Sequence, residues 1–140
     1  MDVTVRYLEG VRFEAEARGH RLISDQPPEA KGGDQGMTPP ELMLASLGAC
    51  AGYYAAEYLR VRALPVHGLQ VRVEADKASA PARLSHFRIF VDCPAAGDER
   101  HRDGVLRAVK KCLIHNTLEH RPEIDVAVAV PDVSAAPVCA

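Results

Sequence analysis

The chain has 140 residues, of which 47% are hydrophobic and 26% are charged, an ordinary globular composition. Its formal net charge of -2 gives no electrostatic case for binding nucleic acid or an anionic membrane surface. This length predicts one domain over 1–140, and no apolar run approaches the roughly 20 residues that cross a bilayer. The first residues lack the basic and apolar segments of a signal peptide, so we expect a cytoplasmic protein with reduced thiols.

The first quarter of the chain predicts antiparallel strands followed by a loop. Apolar and polar residues alternate over 2–9 and 11–17, with Gly10 between them, and 20–24 extends this meander. The segment 25–37 holds prolines and glycines among polar residues, which predicts a loop. Loops of about this length are often functional.

A long helix is predicted next. Thr38 has the position of an N-cap, because Pro39 follows it and Glu41 stands three residues later, the pattern of a capping box. The run 41–56 is apolar almost all round, which is typical of a central, buried helix. The helix must end before Pro65.

The second half of the chain predicts a strand pair, a helix and a final strand. Two alternating segments, 66–76 and 84–92, form an antiparallel pair joined by 77–83. An apolar stripe with a charged opposite face predicts a helix over 99–120, and alternation predicts a strand over 124–130. This order indicates an α+β fold with antiparallel sheets around a buried helix. A chain this short cannot cover that helix alone, which favours an intertwined homodimer.

Two of the four cysteines, Cys50 and Cys112, fall within the two predicted helices. In a reducing compartment such thiols are more often redox-active, catalytic or metal-binding than structural. If they meet in space they can run a thiol–disulfide cycle. Inert packing is the alternative for each thiol, and Cys112 with His115 at i, i+3 would permit a metal site.

The two other cysteines carry less weight. Cys93 precedes a proline at a strand end, so we expect it to be incidental. Cys139 lies in 131–140, which we expect to be a loose tail, and is predicted to be a free, exposed thiol.

The segments TPPELMLASLGAC (38–50) and KCLIHNTLEHRPEI (111–124) resemble the osmotically inducible protein C (OsmC) family, which includes the organic hydroperoxide resistance (Ohr) proteins. The resemblance implies an intertwined homodimer with active sites at its interface and a role in the oxidative stress response. Cys50 matches the family's peroxidatic cysteine and Cys112 its resolving cysteine. The implied reaction reduces an organic hydroperoxide to an alcohol through a sulfenic acid and a disulfide. An external dithiol, a lipoyl group in some members, restores the thiols, and neither a cofactor nor a metal is implied.

The same resemblance implies an activating set for the peroxidatic thiolate. Cys50 lies about three turns inside its helix, too far for the helix dipole to activate it. The family uses an arginine from the N-terminal half, oriented by a glutamate near the start of the central helix. The candidates are Arg18 and Arg21, then Arg12, with Glu41 as the carboxylate. Glu41 falls one residue after the family's glutamate position, which is Pro40 here, and one residue turns a helix by about 100°. We therefore expect a slower peroxidase.

An apolar substrate pocket with contributions from both chains is expected beside Cys50. Its predicted lining is Leu42, Met43, Leu47, Tyr53 and Tyr54. The alternative is a binding module of the same fold. It would hold a small apolar or thiol-containing ligand, and its cysteines would be unactivated.

Overall fold

The computed structural model describes residues 1–130, and its N-terminal part is a three-stranded antiparallel sheet. The strands, in spatial order, are β1 (Thr4–Glu9), β2 (Arg12–Ala17) and β3 (His20–Ser24). Gly10 makes the first turn with a φ of 56°, a conformation that favours glycine. The predicted meander is therefore confirmed, and we call it the N-terminal sheet.

The central helix, α1, spans Pro39–Val61. The predicted capping box is confirmed, because the Thr38 backbone N–H donates to Glu41 Oε2 at 2.8 Å while Thr38 Oγ1 accepts from the Glu41 N–H. Five residues of α1 are buried: Leu47, Ala51, Ala55, Ala56 and Leu59. Elsewhere on α1, Met43 and Tyr53 are 38% and 61% exposed. The all-round burial expected for this helix is not reached within one chain.

The predicted strand pair is confirmed as β4 (Gln70–Ser79) and β5 (Ala82–Asp92). β4 begins and ends later than the predicted 66–76, and β5 begins two residues before the predicted 84–92. The segment 77–83, expected to be a connection, is itself paired up to Ser79 and Ala82, because the chain reverses tightly at Ala80–Pro81. β4 packs along α1.

The prediction of a single helix over 99–120 is wrong, since the structure has two helices there. They are α2 (Glu99–Val109) and α3 (Leu113–Glu119). Cys112 lies between them with non-helical dihedral angles, and its Sγ accepts from the His115 N–H at 3.4 Å. The thiol thus caps α3 rather than continuing one helix.

The core lies where α2 crosses α1 against the β4–β5 pair. It is formed by Ala51, Ala55, Leu59, Ala96, Val105 and Val109. Small residues on α1 permit a close approach of α2. Gly104 makes that approach closest, because a Cβ at this position would overlap the Tyr58 ring.

The strand predicted over 124–130 is not formed within the described chain. Ile124, Val126, Val128 and Val130 are 82–91% exposed. A strand needs a neighbouring edge to hydrogen-bond with, and this segment pairs with none of the described strands. The predicted loose tail of 131–140, including Cys139, lies outside the described residues.

Among the residues described, no helix is long and apolar enough to cross a membrane.

Candidate functional site

The fold brings the two predicted cysteines together. Cys50 is on α1, Cys112 is at the junction of α2 and α3, and the two thiols lie close enough for Cys50 to raise the pKa of Cys112. Both are free thiols. The arrangement is therefore one in which two sulfur atoms can exchange between dithiol and disulfide.

The two thiols differ in their access to solvent. Cys112 is 0% exposed, whereas Cys50 is only partly buried. Burial, followed by the neighbouring Cys50 thiol, raises the pKa of the Cys112 thiol, although the His115 backbone N–H opposes this shift. Cys112 is therefore held as a neutral thiol, and an incoming molecule meets Cys50 first.

Glu41, the predicted orienting carboxylate, is occupied elsewhere. Its Oε2 accepts from both the backbone N–H and the hydroxyl of Thr38, at 2.8 and 2.9 Å. These hydrogen bonds lower the pKa of Glu41. At about 1.5 Å of rise per residue, Glu41 lies about 13 Å before Cys50 along the axis of α1. Its observed role is that of a helix cap.

The three candidate arginines all belong to the N-terminal sheet, and they are held to different degrees. Arg18 is exposed in the β2–β3 turn at a φ of 53°. Arg21 lies 3.9 and 3.8 Å from Glu14 and Glu16 and its side chain is 63% exposed.

Arg12 is the most firmly held of the three. It pairs with Glu9 at 2.6 Å and donates to the Gln35 side chain, and its side chain is 26% exposed. Its Nε is buried without a partner among the described residues. Arg12 thus meets the loop that leads from the N-terminal sheet to α1.

That loop is organised by Asp25, a residue that sequence reasoning missed. Asp25 is 2% exposed and accepts backbone N–H bonds from Gln26, Gly33 and Gln35 at 2.8, 3.1 and 3.0 Å. These bonds, with the Gln35 amide contributing most, lower the pKa of Asp25, and Arg12 acts in the same direction. An aspartate before a Pro- and Gly-rich run is the sequence signal that could have identified it.

The five predicted pocket residues lie in different environments within the single chain. Leu47 is 1% exposed and belongs to the interior. Leu42 and Tyr54 are half-buried, whereas Met43 and Tyr53 are exposed. A pocket made from all five remains a prediction that needs a second chain.

The third described thiol, Cys93, lines a cavity of about 310 Å3 between β5 and α2. The cavity is mainly apolar, with Val91 and Val105 on opposite walls and Arg102 as its cation. Arg102 donates to the Gly97 carbonyl at 2.6 Å. Cys93 is thus a packing residue beside a gap in the core.

The pair considered for a metal, Cys112 and His115, is joined by other contacts. The His115 N–H donates to Cys112 Sγ, and His115 Nε2 lies 3.1 Å from Glu119. Within residues 1–130, no group of three or more His, Cys, Asp or Glu side chains is placed to hold a metal ion.

The chain matches the model of the OsmC-like protein family over residues 32–127, more than half of its length. It belongs to the OsmC family. The matched region contains α1, the β4–β5 pair, both later helices and both cysteines of the site. No curated protein is significantly similar to the chain in sequence.

Solved structures share the fold at low sequence identity. An osmotic stress induced and detoxification response protein of Psychrobacter arcticus 273-4 is 20% identical, with a TM-score of 0.75 over 82% of this chain and 85% of that chain. An OsmC-like protein of Mycoplasma pneumoniae is 19% identical, with a TM-score of 0.74 over 86% and 87%. An organic hydroperoxide resistance protein of Vibrio cholerae, with captopril bound in one of the active sites, is 18% identical, with a TM-score of 0.63 over 86% of each chain.

Proposed function

We propose that this OsmC-family protein reduces organic hydroperoxides with Cys50 as the attacking thiolate and Cys112 as the resolving thiol. The observation that carries the proposal is the proximity of two free thiols of unequal burial. A partly exposed sulfur is open to substrate, and a fully buried sulfur next to it is protected from competing reactions. Membership of a family that includes hydroperoxide resistance proteins supports the same chemistry.

The reaction balances with these two sulfurs alone. The Cys50 thiolate attacks the outer peroxide oxygen, the O–O bond breaks, and the alkoxide takes a proton to leave as an alcohol. Cys50 becomes a sulfenic acid. The Cys112 thiol then gives its sulfur to a Cys50–Cys112 disulfide and its proton to the departing hydroxide, which leaves as water. The raised pKa of Cys112 keeps that proton available until this step. An external thiol reductant restores the pair.

A homodimer is part of the proposal, because one chain leaves too much apolar surface uncovered. Val5, Tyr7, Phe13 and Leu22 of the N-terminal sheet are 40–63% exposed, and the unpaired segment 124–130 carries four exposed apolar side chains. A second copy would cover these faces and supply the missing strand edge.

The dimer would also supply the activating cation. All three candidate arginines lie on the N-terminal sheet, which makes no substantial packing contact with α1–α3 within the described chain. Arg12 is the best placed of them, because Glu9 and the 25–37 loop hold it in position. Arg18 and Arg21 are more exposed and therefore less ordered. We infer that the sheet of one subunit presents Arg12 toward the thiols of its partner.

The second candidate function is a binding module without turnover. Two observations favour it: Glu41 is engaged by Thr38, and Pro40 stands at the carboxylate position of the family's peroxidases. The captopril bound to the Vibrio cholerae relative is a precedent for a small organic ligand on this fold.

A thiol count separates the two functions. Reduced protein is treated with one equivalent of cumene hydroperoxide, and free thiols are counted in the wild type, Cys50→Ser and Cys112→Ser. If the protein is a peroxidase, the wild type loses two thiols per chain and Cys50→Ser rapidly loses none of its remaining thiols. Cys112→Ser accumulates a sulfenic acid that dimedone traps.

The control for this experiment is Cys93→Ser, which should react like the wild type. A wild type that keeps both thiols on the time scale of minutes would exclude the peroxidase and leave the binding module.

A further inference from the structure

A groove of about 450 Å3 runs between the second half of α1 and the second half of α2. Its lining includes two tyrosines and three cations: Tyr54, Tyr58, Arg62, Arg107 and Lys111. Its volume is within the range of small-molecule sites, and aromatic walls with a few charged groups are typical of them. We call it the α1–α2 groove.

The cations of this groove are not neutralised within residues 1–130. Arg107 and Lys111 form no ion pair with a described carboxylate. Arg62 lies over the Tyr58 ring at 3.7 Å and donates to the Tyr58 carbonyl at 3.3 Å, but likewise has no carboxylate partner there. Glu57, which also lines the groove, forms an ion pair with Arg60. The groove therefore carries surplus positive charge in a chain whose formal net charge is -2.

Two residues that line the groove, Tyr54 and Lys111, are neighbours of the thiol residues. Tyr54 stands one helical turn after Cys50 on α1, so the two side chains share a face of that helix. Lys111 directly precedes Cys112. A molecule bound at the Tyr54 and Lys111 end of the groove would therefore lie about one helical turn from Cys50.

We propose that the α1–α2 groove binds the reductant of the Cys50–Cys112 disulfide, and that this reductant is a small organic anion bearing thiols. Its carboxylate or phosphate contacts Arg62, Arg107 and Lys111. The inference rests on the proposed function, because it concerns the second half of the same cycle. This anionic reductant differs from a neutral lipoyl amide, which has no carboxylate or phosphate for the cations to bind.

The steps balance as two thiol–disulfide exchanges. The reductant thiolate attacks Cys50 Sγ, the protein S–S bond breaks, and Cys112 leaves as a thiolate that takes a proton. A second thiolate of the same reductant then attacks its own sulfur in the mixed disulfide. Cys50 is released, and the reductant departs as a cyclic disulfide, having transferred two electrons.

The test uses a disulfide made with diamide, so that it does not depend on the peroxide step. Its reduction is followed with dihydrolipoate, an anion, and with dihydrolipoamide, the neutral amide of the same dithiol. We expect the anion to react about tenfold faster at low ionic strength, a typical steering effect, and salt to bring the ratio toward one. In Arg62→Gln, Arg107→Gln and Lys111→Gln the ratio should fall several-fold, because the rate with the anion falls more than the rate with the neutral amide.

Arg100→Gln is the matched control, because it removes the same charge from α2 outside the groove lining and should keep the ratio. Melting temperatures of all variants are compared, since cations near helix C-termini also stabilise helices. Equal rates for the two dithiols, or a ratio that the groove variants leave unchanged, would overturn the inference while the peroxide reaction stood. Failure of diamide to form the disulfide would overturn both proposals together.

Discussion

Two regions of this molecule differ in how completely a single chain buries their apolar side chains. The packed region, formed by α1, the β4–β5 pair and α2, has a closed core with Leu59 1% exposed. The N-terminal sheet has no such core, and every residue of β1 is exposed. Its exposed side chains nevertheless include Val5, Tyr7 and Phe13, the apolar set that a buried sheet face would carry.

The two regions carry different parts of the proposed active site. The packed region positions both thiols, whereas the arginine candidates lie on the sheet that this region does not hold. Within residues 1–130, a single chain therefore brings the two thiols together but does not pack the N-terminal sheet, with its three candidate arginines, against the helices that carry them. The proposed reaction therefore requires the homodimer to bring an arginine to the thiols, and the homodimer is not only a means of covering apolar surface.

The largest expected effect concerns the packed region. Leu59→Ala would leave a cavity where α1 meets α2, and truncation of a fully buried leucine costs about 2–5 kcal/mol of unfolding free energy. Leu22→Ala on the N-terminal sheet, where the leucine is 44% exposed, should cost less than about 1 kcal/mol in dilute protein. Urea unfolding monitored by circular dichroism measures both.

Measuring both variants at several protein concentrations separates the two regions further. If a second copy covers the N-terminal sheet, the cost of Leu22→Ala grows as protein concentration rises, whereas that of Leu59→Ala stays nearly constant. Equal costs for the two variants in dilute protein would contradict the distinction between the regions.

An intermediate effect is expected from Phe13→Asp. Phe13 contacts Tyr7 edge to face across β1 and β2, with ring centroids 5.7 Å apart, and is 40% exposed. A carboxylate here would be desolvated in a dimer, so the dimer dissociation constant should rise at least about tenfold. Sedimentation velocity over a concentration series measures the shift.

Leu106→Asp is the control for that variant, because Leu106 is 55% exposed on α2 in the packed region. It should leave dimerisation unchanged. A wild-type chain that stayed monomeric at every concentration would refute the homodimer outright.

Local signals in the sequence were sufficient for much of the fold. The capping box at Thr38 and Glu41 depends on residues three apart, and the alternation of β4 and β5 depends on the chain's own period, so both were predictable. The break between α2 and α3 was not. The apolar stripe continues through it, and only the tertiary position of Cys112 makes its sulfur a cap. The strand expected over 124–130 has the right pattern but pairs with no strand edge among residues 1–130.

The candidate site divides in the same way. The two thiols are predictable from the pattern of residue types around them, and the fold brings them close together. Asp25 was missed because its partners lie up to ten residues away in a loop without periodicity. The α1–α2 groove was missed because Arg62 and Lys111 are far apart in sequence and each resembles an ordinary surface cation.

The smallest expected effect concerns Asp25, which organises the loop between the two regions. Because backbone N–H groups lower its pKa, its carboxylate stabilises the fold above the ordinary titration range of aspartate, near pH 4, and this contribution disappears as pH falls below that range. Asp25→Asn should remove that part of the acid dependence and speed hydrogen exchange at the Gly33 and Gln35 amides. Urea unfolding from pH 7 to pH 3 and exchange mass spectrometry measure the two effects. Unchanged exchange in the loop would mean that its glycine-rich backbone, and not Asp25, holds Arg12 in place.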